Sequence, residues 1–277
     1  MIPVDNTSNF GFHRPNTFVR IIICITRSAG SNWLSKRVIF LLRRIAIVFS
    51  DECIDTKIFN TNLRMYTKGN VSEKRALFSP QIFEEEERNF IAKRAKNNSV
   101  FIDIGANIGL YSFSIGNSYK KYKNTKIYSI EPHPGLFKRL SFNASLNKDI
   151  PIYPREMALM DKSGKFNLDT PEENLGQGVI SETGENLVIG KKLSEFIADE
   201  KIKKISAMKI DVEGNEEKII IPFLEEAKDE SLPLIIIIEN NKKFWKRDII
   251  KLLEEKNYKI KKKTRMNYIL ELNNLNN

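Results

Sequence analysis

Five acidic side chains and one glycine loop carry the chemistry that can be read from this chain. Asp103 precedes the run Gly105-Ala106-Asn107-Ile108-Gly109. Gly105 permits a tight turn, and Gly109 lets a following helix pack close to the loop. Backbone N–H groups at such a helix start can bind a carboxylate. Glu131 ends the next apolar run, in Tyr128-Ser129-Ile130-Glu131-Pro132. An acid there can accept hydrogen bonds from both ribose hydroxyls of a bound nucleoside. NAD fits less well, because its fingerprint is GxGxxG and this loop lacks the middle glycine that admits a pyrophosphate. Asp211 and Glu213 lie in Met208-Lys209-Ile210-Asp211-Val212-Glu213-Gly214, and Glu239 is followed by Asn240 and Asn241. A carboxylate at such a place can take the proton from a hydroxyl as it attacks. Capping of the following helix is the other use, for Glu213 above all. Acids this close could also hold a metal ion, but the pattern offers no ligand geometry, and no metal is expected.

These residues need elements to hold them. Short β-like runs occur at Val100–Asp103, Lys126–Glu131, Ile152–Met157, Ser206–Asp211 and Leu234–Glu239. Helical stretches fall near 110–120, 134–147, 214–228 and 244–256. Such alternation predicts a mostly parallel sheet with helices on both faces. In open sheets of this kind, ligands bind beyond the carboxyl ends of the strands, where the acids lie. Ile235 to Ile238 is apolar at every position and predicts a strand covered on both faces. Tyr258–Lys263 and Met266–Leu272 predict a closing antiparallel pair. Upstream, Lys57–Asn60 and Leu63–Tyr66 suggest a small hairpin. Gln81–Lys96 suggests one helix, with acids first and Lys93, Arg94 and Lys96 last, as the helix dipole prefers. The polar stretch 158–190 breaks the alternation and reads as short strands and a loop before a helix at Lys191–Glu200.

The first 50 residues differ in composition. They carry seven Lys or Arg and one acid, more than half of the formal net charge of +10. Leu34, Val38, Leu41, Ile45 and Val48 share one helical face, with Lys36, Arg37, Arg43 and Arg44 largely off it. That stripe is expected to pack on the main domain or a second subunit. Docking on an anionic membrane surface is the other use of such a helix. The domains expected are a basic extension over 1–54 with an amphipathic helix, and a catalytic domain over 55–277. The apolar run Ile21-Ile22-Ile23-Cys24-Ile25 is too short for a signal peptide or a span. Cys24 and Cys53 form no CxxC, so neither a zinc site nor a disulfide framework is indicated. The expected location is cytoplasmic, with the periphery of the membrane's inner face as the alternative that such a helix suits. A basic balance can also mark anionic partners, although a general Lys-rich bias explains the charge as well.

Taken together, Phe101-Ile102-Asp103-Ile104-Gly105-Ala106-Asn107-Ile108-Gly109-Leu110-Tyr111-Ser112, Ile130-Glu131-Pro132-His133-Pro134, Ala158-Leu159 with Asp161, and Lys209-Ile210-Asp211-Val212-Glu213-Gly214 resemble the FkbM family of class I methyltransferases. The similarity runs over about residues 55–240. It implies a Rossmann-like α/β fold and S-adenosylmethionine as methyl donor, with O-methylation of sugars or secondary metabolites. By the same similarity Asp103, Gly105, Asn107 and Gly109 line the methionine and ribose side. Glu131 holds the ribose, and Met157 and Ala158 lie near the adenine. His133 touches the adenine or caps the next helix. Glu84 lies where such proteins often shield the cofactor. Asn174-Leu175-Gly176-Gln177-Gly178 matches a polar glycine loop near the active site, or is a plain hairpin turn.

Three function classes follow. The first is methylation of a small-molecule or glycan hydroxyl, with Asp211 as the first choice of acceptor-side acid and Glu239 and Glu213 behind it. The second is nucleic-acid methylation; the acidic run at Asp211 to Glu213, no Pro-Pro-Tyr-like segment there and no RNA-recognition signature speak against it. The third is a docking module on a methyltransferase scaffold, against which the intact Asp103, Glu131 and Asp211 speak.

Overall fold

The computed structural model describes residues 4–171, 173–181 and 186–273. Two helices, α1 (Thr17–Ser28) and α2 (Trp33–Val48), precede a hairpin of β1 (Cys53–Ile58) and β2 (Thr61–Tyr66). Next come α3 (Val71–Phe78), α4 (Glu85–Ala92), β3 (Val100–Ile104), α5 (Leu110–Tyr119), β4 (Lys126–Ile130), α6 (Pro134–Ser145) and β5 (Ile152–Arg155). Four short strands follow: β6 (Ala158–Leu159), β7 (Gly164–Asp169), β8 (Val179–Ser181) and β9 (Asn186–Lys191). The chain ends with α7 (Leu193–Asp199), β10 (Ala207–Ile210), α8 (Glu216–Glu226), β11 (Ile235–Glu239), α9 (Ile249–Glu255), β12 (Tyr258–Lys263) and β13 (Asn267–Leu272).

The main sheet has the order β12-β13-β11-β10-β3-β4-β5. The five strands from β11 to β5 are parallel, and β13 and β12 are antiparallel additions. The chain leaves β3 toward β4 on one side and comes back to β10 on the other. That reversal opens a crevice beyond the carboxyl ends of β3 and β10. The expected Rossmann-like sheet with its closing pair is present.

Each face of the sheet is covered by its own helices. Ile102, Ile104, Met208, Ile210, Ile236 and Ile238 pack on α7, α8 and α9. Phe101, Ala207, Ile235 and Ile237 pack with Ile91, Tyr111 and Ile115 of α4 and α5. β11 is therefore apolar at successive positions because both faces are dry. Asp103 and Lys209 share the parity of Phe101 and Ala207, and they are direct register partners. Two charged groups are thus placed opposite each other inside the sheet.

The remaining elements depart from expectation in informative ways. The helix expected over Gln81–Lys96 is broken. Pro80–Ile82 forms a 3₁₀ turn, and α4 starts only after Glu84, whose φ of 42° is left-handed. The Arg88 side chain donates to the carbonyls of Phe83 and Pro80 and so ties α4 to the turn before it. The small hairpin extends further back than expected, and Phe59 and Asn60 form its turn at φ 53° and 58°. The 158–190 stretch builds a second sheet in the order β6-β9-β7-β8. α1 and α3 were not foreseen.

The N-terminal zone is woven into the body. Arg64 grips Asp55 through two bonds and donates to the carbonyls of Asp5, Ser8 and Asn9. Val19, Ile22, Ile23 and Ala46 join a core with Ile54, Leu63, Leu77 and Phe113. The expected packing of the α2 stripe on the main domain is a correction. Ile39 and Ala46 are its buried residues. Leu34, Val38, Leu41, Ile45 and Val48 are all exposed, Val48 at 77%. The apolar stripe read from sequence points away from the domain.

Candidate active site

Backbone geometry fixes the glycine loop. Gly105 has a φ of +78°, and a Cβ there would lie 1.9 Å from the Asp211 carbonyl oxygen. Gly109 has a φ of +86° and lies against Leu140 and Phe113. Its place is structural: it lines neither hollow described below. The amides of Gly105 and Ala106 donate to the Ile130 carbonyl, Gly109 to that of Ala106. Asn107 donates to Glu131 Oε2 at 2.8 Å, and Ile108 to Asn107 Oδ1. Every N–H from 105 to 109 is therefore engaged. The loop is a rigid wall rather than the open carboxylate cradle that its sequence suggests.

Glu131 sits at the tip of β4, 6% exposed. Its Oε1 accepts from His133 N, so both oxygens are held by backbone amides. Burial raises its pKa to about 7, against the help of those two donors. His133 resolves toward the capping role. Its Nδ1 accepts from the amides of Gly135 and Leu136, which requires the neutral ring. Burial also lowers its pKa. Glu131, His133, Met157 and Ala158 line one hollow with Gly105 and Asn107. Leu168, Leu175 and Ile180 close its apolar side from the second sheet. Gly176 abuts the Asn107 side chain, so the 174–178 segment is both the β7–β8 connection and a wall of the site.

A second hollow adjoins the first and shares Gly105, Asn107, Gly176, Asp211 and Glu213 with it. Glu84, Asp103, Tyr111 and Lys209 line it. Asp103 Oδ2 accepts from Ser112 Oγ at 2.6 Å, and Ser112 meets Ser129. Three buried side-chain atoms here lack any partner: Asp103 Oδ1, Glu84 Oε2 and the Tyr111 hydroxyl. Orphaned acceptors in a buried place are costly, and two of them belong to carboxyl groups. An ammonium group satisfies such a set. The residues present therefore fit the amino end of the expected cofactor, with Glu131 and the apolar hollow at its nucleoside end. Burial pushes Glu84 up to about 7, the Lys209 charge opposing. It raises Asp103 as well.

The acceptor-side acids occupy three distinct states. Lys209 Nζ lies 2.6 Å from Asp211 Oδ2 and is itself 4% exposed. Burial works against the Asp211 carboxylate, but Lys209 and a hydrogen bond from Glu239 hold it below the usual range. Glu239 is raised to about 8 by burial and by the neighbouring Asp211 and Glu213 charges. The pair thus holds one proton, on Glu239. Glu239 also accepts from Asn241 Nδ2 and lines neither hollow, so it reaches the crevice only through Asp211. Glu213 has a φ of 53° and lines both hollows. Burial and the Asp211 charge raise it to about 7. It caps nothing. Glu216 does that work, accepting from the amides of Val212 and Gly214 and from Asn241 and Trp245.

Lys209 and Tyr111 were missed by sequence reasoning. Both lie inside the motifs above, and the i, i+2 spacing of Lys209 and Asp211, which puts them on one strand face, was the available signal. The residues that close the hollow at Glu131 from β7 and β8 had none, because the second sheet has no pattern of its own.

A family model described as "Methyltransferase FkbM domain" matches residues 103–260. No curated protein matches the chain. Among solved structures, a precorrin-6y C5,15-methyltransferase from Geobacter metallireducens GS-15 is 15% identical with a TM-score of 0.39, over 68% of this chain and 88% of that one. The methyltransferase FkbM of Methylobacillus flagellatus KT is 14% identical with a TM-score of 0.44, over 72% and 54%. Trm5 of Methanocaldococcus jannaschii, in complex with adenosine, is 18% identical with a TM-score of 0.43, over 80% and 56%. This chain spans about half the length of the latter two. These likenesses are too distant to place any residue of the site.

Proposed function

The chain belongs to the FkbM methyltransferase family, and we propose that it transfers a methyl group from S-adenosylmethionine to a hydroxyl of a sugar, glycan or secondary metabolite. One observation carries the reading. The hollow with the orphaned acid atoms and the hollow at Glu131 share a wall, and Asp211 and Glu213 stand in both. When bound, the sulfonium cofactor supplies an electrophilic methyl group. Glu131, Met157 and Ala158 hold its nucleoside end, and Asp103, Glu84 and Tyr111 its amino end.

On the acceptor side the three acids divide the work. Asp211, kept ionised by Lys209, accepts a hydrogen bond from the attacking hydroxyl and orients it. Glu213, poised near neutrality, takes the proton; a base is most effective with its pKa near the working pH. This shifts the base from Asp211, the first choice on sequence, to Glu213. Glu239 donates toward Asp211 and holds its basicity down. Alignment of a hydroxyl with a methyl group needs little else from the protein. Two acids at the acceptor side of the crevice, Asp211 and Glu213, disfavour a phosphodiester, which is why a nucleic acid ranks below a neutral hydroxyl compound.

The test is transfer of labelled methyl to a panel of nucleotide sugars and lipid-linked glycans, beside calorimetry with S-adenosylmethionine. Binding of the cofactor and label in at least one hydroxyl compound are expected. A chain that binds no S-adenosylmethionine, or that labels only RNA or DNA, defeats the reading.

A further inference from the structure

The stripe that fails to pack has a use. α1 and α2 lie against each other, and the rings of Phe18 and Phe49 meet edge to face at 5.3 Å. On α1, Phe18, Ile21 and Ile25 recur at helical spacing and are about half exposed. On α2, Leu34 and Leu41 are 64% and 60% exposed, and Trp33 and Phe40 lie open beside them. So many large apolar side chains on one hairpin form a patch that a solitary soluble domain avoids.

Charge decides what covers it. Beside Arg27, whose guanidinium is held by the Leu77 and Lys57 carbonyls and Thr56, the two helices carry Arg20, Lys36, Arg37, Arg43 and Arg44, and residues 6–50 contain no acid. The Arg37 guanidinium sits over the Trp33 ring at 3.9 Å, and those of Arg43 and Arg44 lie near Phe40. A two-fold dimer through this face would set it against the same face, cation against cation. A partner must therefore be apolar at depth and anionic at its surface. We propose that the α1–α2 hairpin docks in the plane of an anionic lipid surface, with the apolar residues among the acyl chains and the arginines at the headgroups. Amphipathic helices with Trp, Phe and Leu on one side and Lys or Arg on the other bind in this way, and long basic side chains reach back to the headgroups. No helix among the described residues is long and apolar enough to cross a membrane, so the contact is one of lying on the surface.

The hairpin also walls a groove. Ser31 and Lys36 line it with Arg75, Lys262 and Arg265 and with the acids Glu85, Glu86 and Glu87, and it runs to Glu84, which also lines the inner hollow of the candidate site. The proposal itself stands on the surface alone and does not depend on the methylation reading.

Sedimentation of the full chain with vesicles tests it. Phosphatidylcholine vesicles are compared with vesicles that also contain phosphatidylglycerol. The chain should sediment with the anionic vesicles and at least about ten-fold less with the neutral ones, since each basic residue adds roughly five-fold near such a surface. Raising the salt from about 0.1 M to about 0.5 M should release it. The double variants Leu34→Glu/Leu41→Glu and Arg37→Glu/Arg44→Glu should each lose binding. Their circular dichroism and S-adenosylmethionine affinity, unchanged from the parent, show that the fold survives. No binding to anionic vesicles, or variants that sediment like the parent, overturns the proposal. So does a dimer in light scattering that Leu34→Glu/Leu41→Glu dissociates, which would assign the face to a second copy.

Discussion

At the residue scale, the site is a set of carboxyl groups held at different protonation states by their neighbours. Asp211 is held ionised by Lys209, while Glu213 and Glu84 are raised to about 7 by burial. Changing Asp211 to Asn should cut kcat by about 10²-fold, the lower range for a positioned acid or base, with cofactor affinity within a few-fold. Unchanged turnover in that variant would remove Asp211 from the chemistry. Glu213→Gln should flatten the acid limb of the kcat profile near pH 7, which a merely structural residue would not do. Cofactor binding should itself depend on pH. An ammonium prefers ionised Glu84, so affinity should rise with pH up to about 7 and then level. Calorimetry from pH 5.5 to 8.5 reads this, and Glu84→Gln should lose most of the slope. A pH-independent affinity in the parent would place the amino end elsewhere.

At the element scale, legibility followed periodicity. The strands β3, β4, β10 and β11 and the helices after them were read within a few residues, because two-sided burial writes an unbroken apolar run and a strand-end acid marks the stop. α2 was read as a helix but its inward face was inverted: the more prominent stripe is the exposed one, and Ile39 and Ala46 do the packing. Periodicity reports an apolar face without saying what covers it. The break at Glu84 was invisible, since a run of four acids reads as a helix start and only the buried place of one of them forces the left-handed residue. The candidate acids were found, but not the pairing of Asp211 with Glu239 that sets their states, which needs the β10–β11 register. Two substitutions probe elements directly. Gly105→Ala should abolish cofactor binding, because its Cβ would overlap the Asp211 carbonyl and its φ is left-handed. Asn60→Gly, at the exposed second turn position of the β1–β2 hairpin, should raise Tm by a degree or more, since that conformation suits glycine best. A fall in Tm would mean that the Asn60 side chain contributes to the turn.

At the scale of the whole molecule, the site is kept at the expense of stability, and the pH dependence should show it. Glu84, Glu131 and Glu213 stand at about 7 and Glu239 at about 8 in the folded chain, against an ordinary 4.5. An acid whose folded pKa is raised binds protons more tightly when folded. Its stabilising share is complete below about 4.5 and is lost as pH climbs through 7 to 8. Groups held low behave in the opposite sense. Asp55 in the grip of Arg64, though burial opposes it, and Asp149 beside Lys120 lose their contribution only as pH falls below the ordinary carboxylate range. Buried His133, held below 6.5, works in the opposite sense inside this window, but the four raised acids outweigh it between about pH 5 and pH 8.5, and Tm should decline across that window. Replacing Glu239 by Gln removes the charge that must be buried while keeping the shape and an acceptor for Asn241. The variant should gain about 2–4 °C at pH 8.5, the shift that roughly 1 kcal/mol produces in a chain of this size, and little at pH 5.5. Thermal melts at the two pH values decide the matter. A Tm that is flat or rising from pH 5.5 to 8.5 would mean that these four carboxyls ionise at ordinary values and that the crevice is wetter than its packing implies.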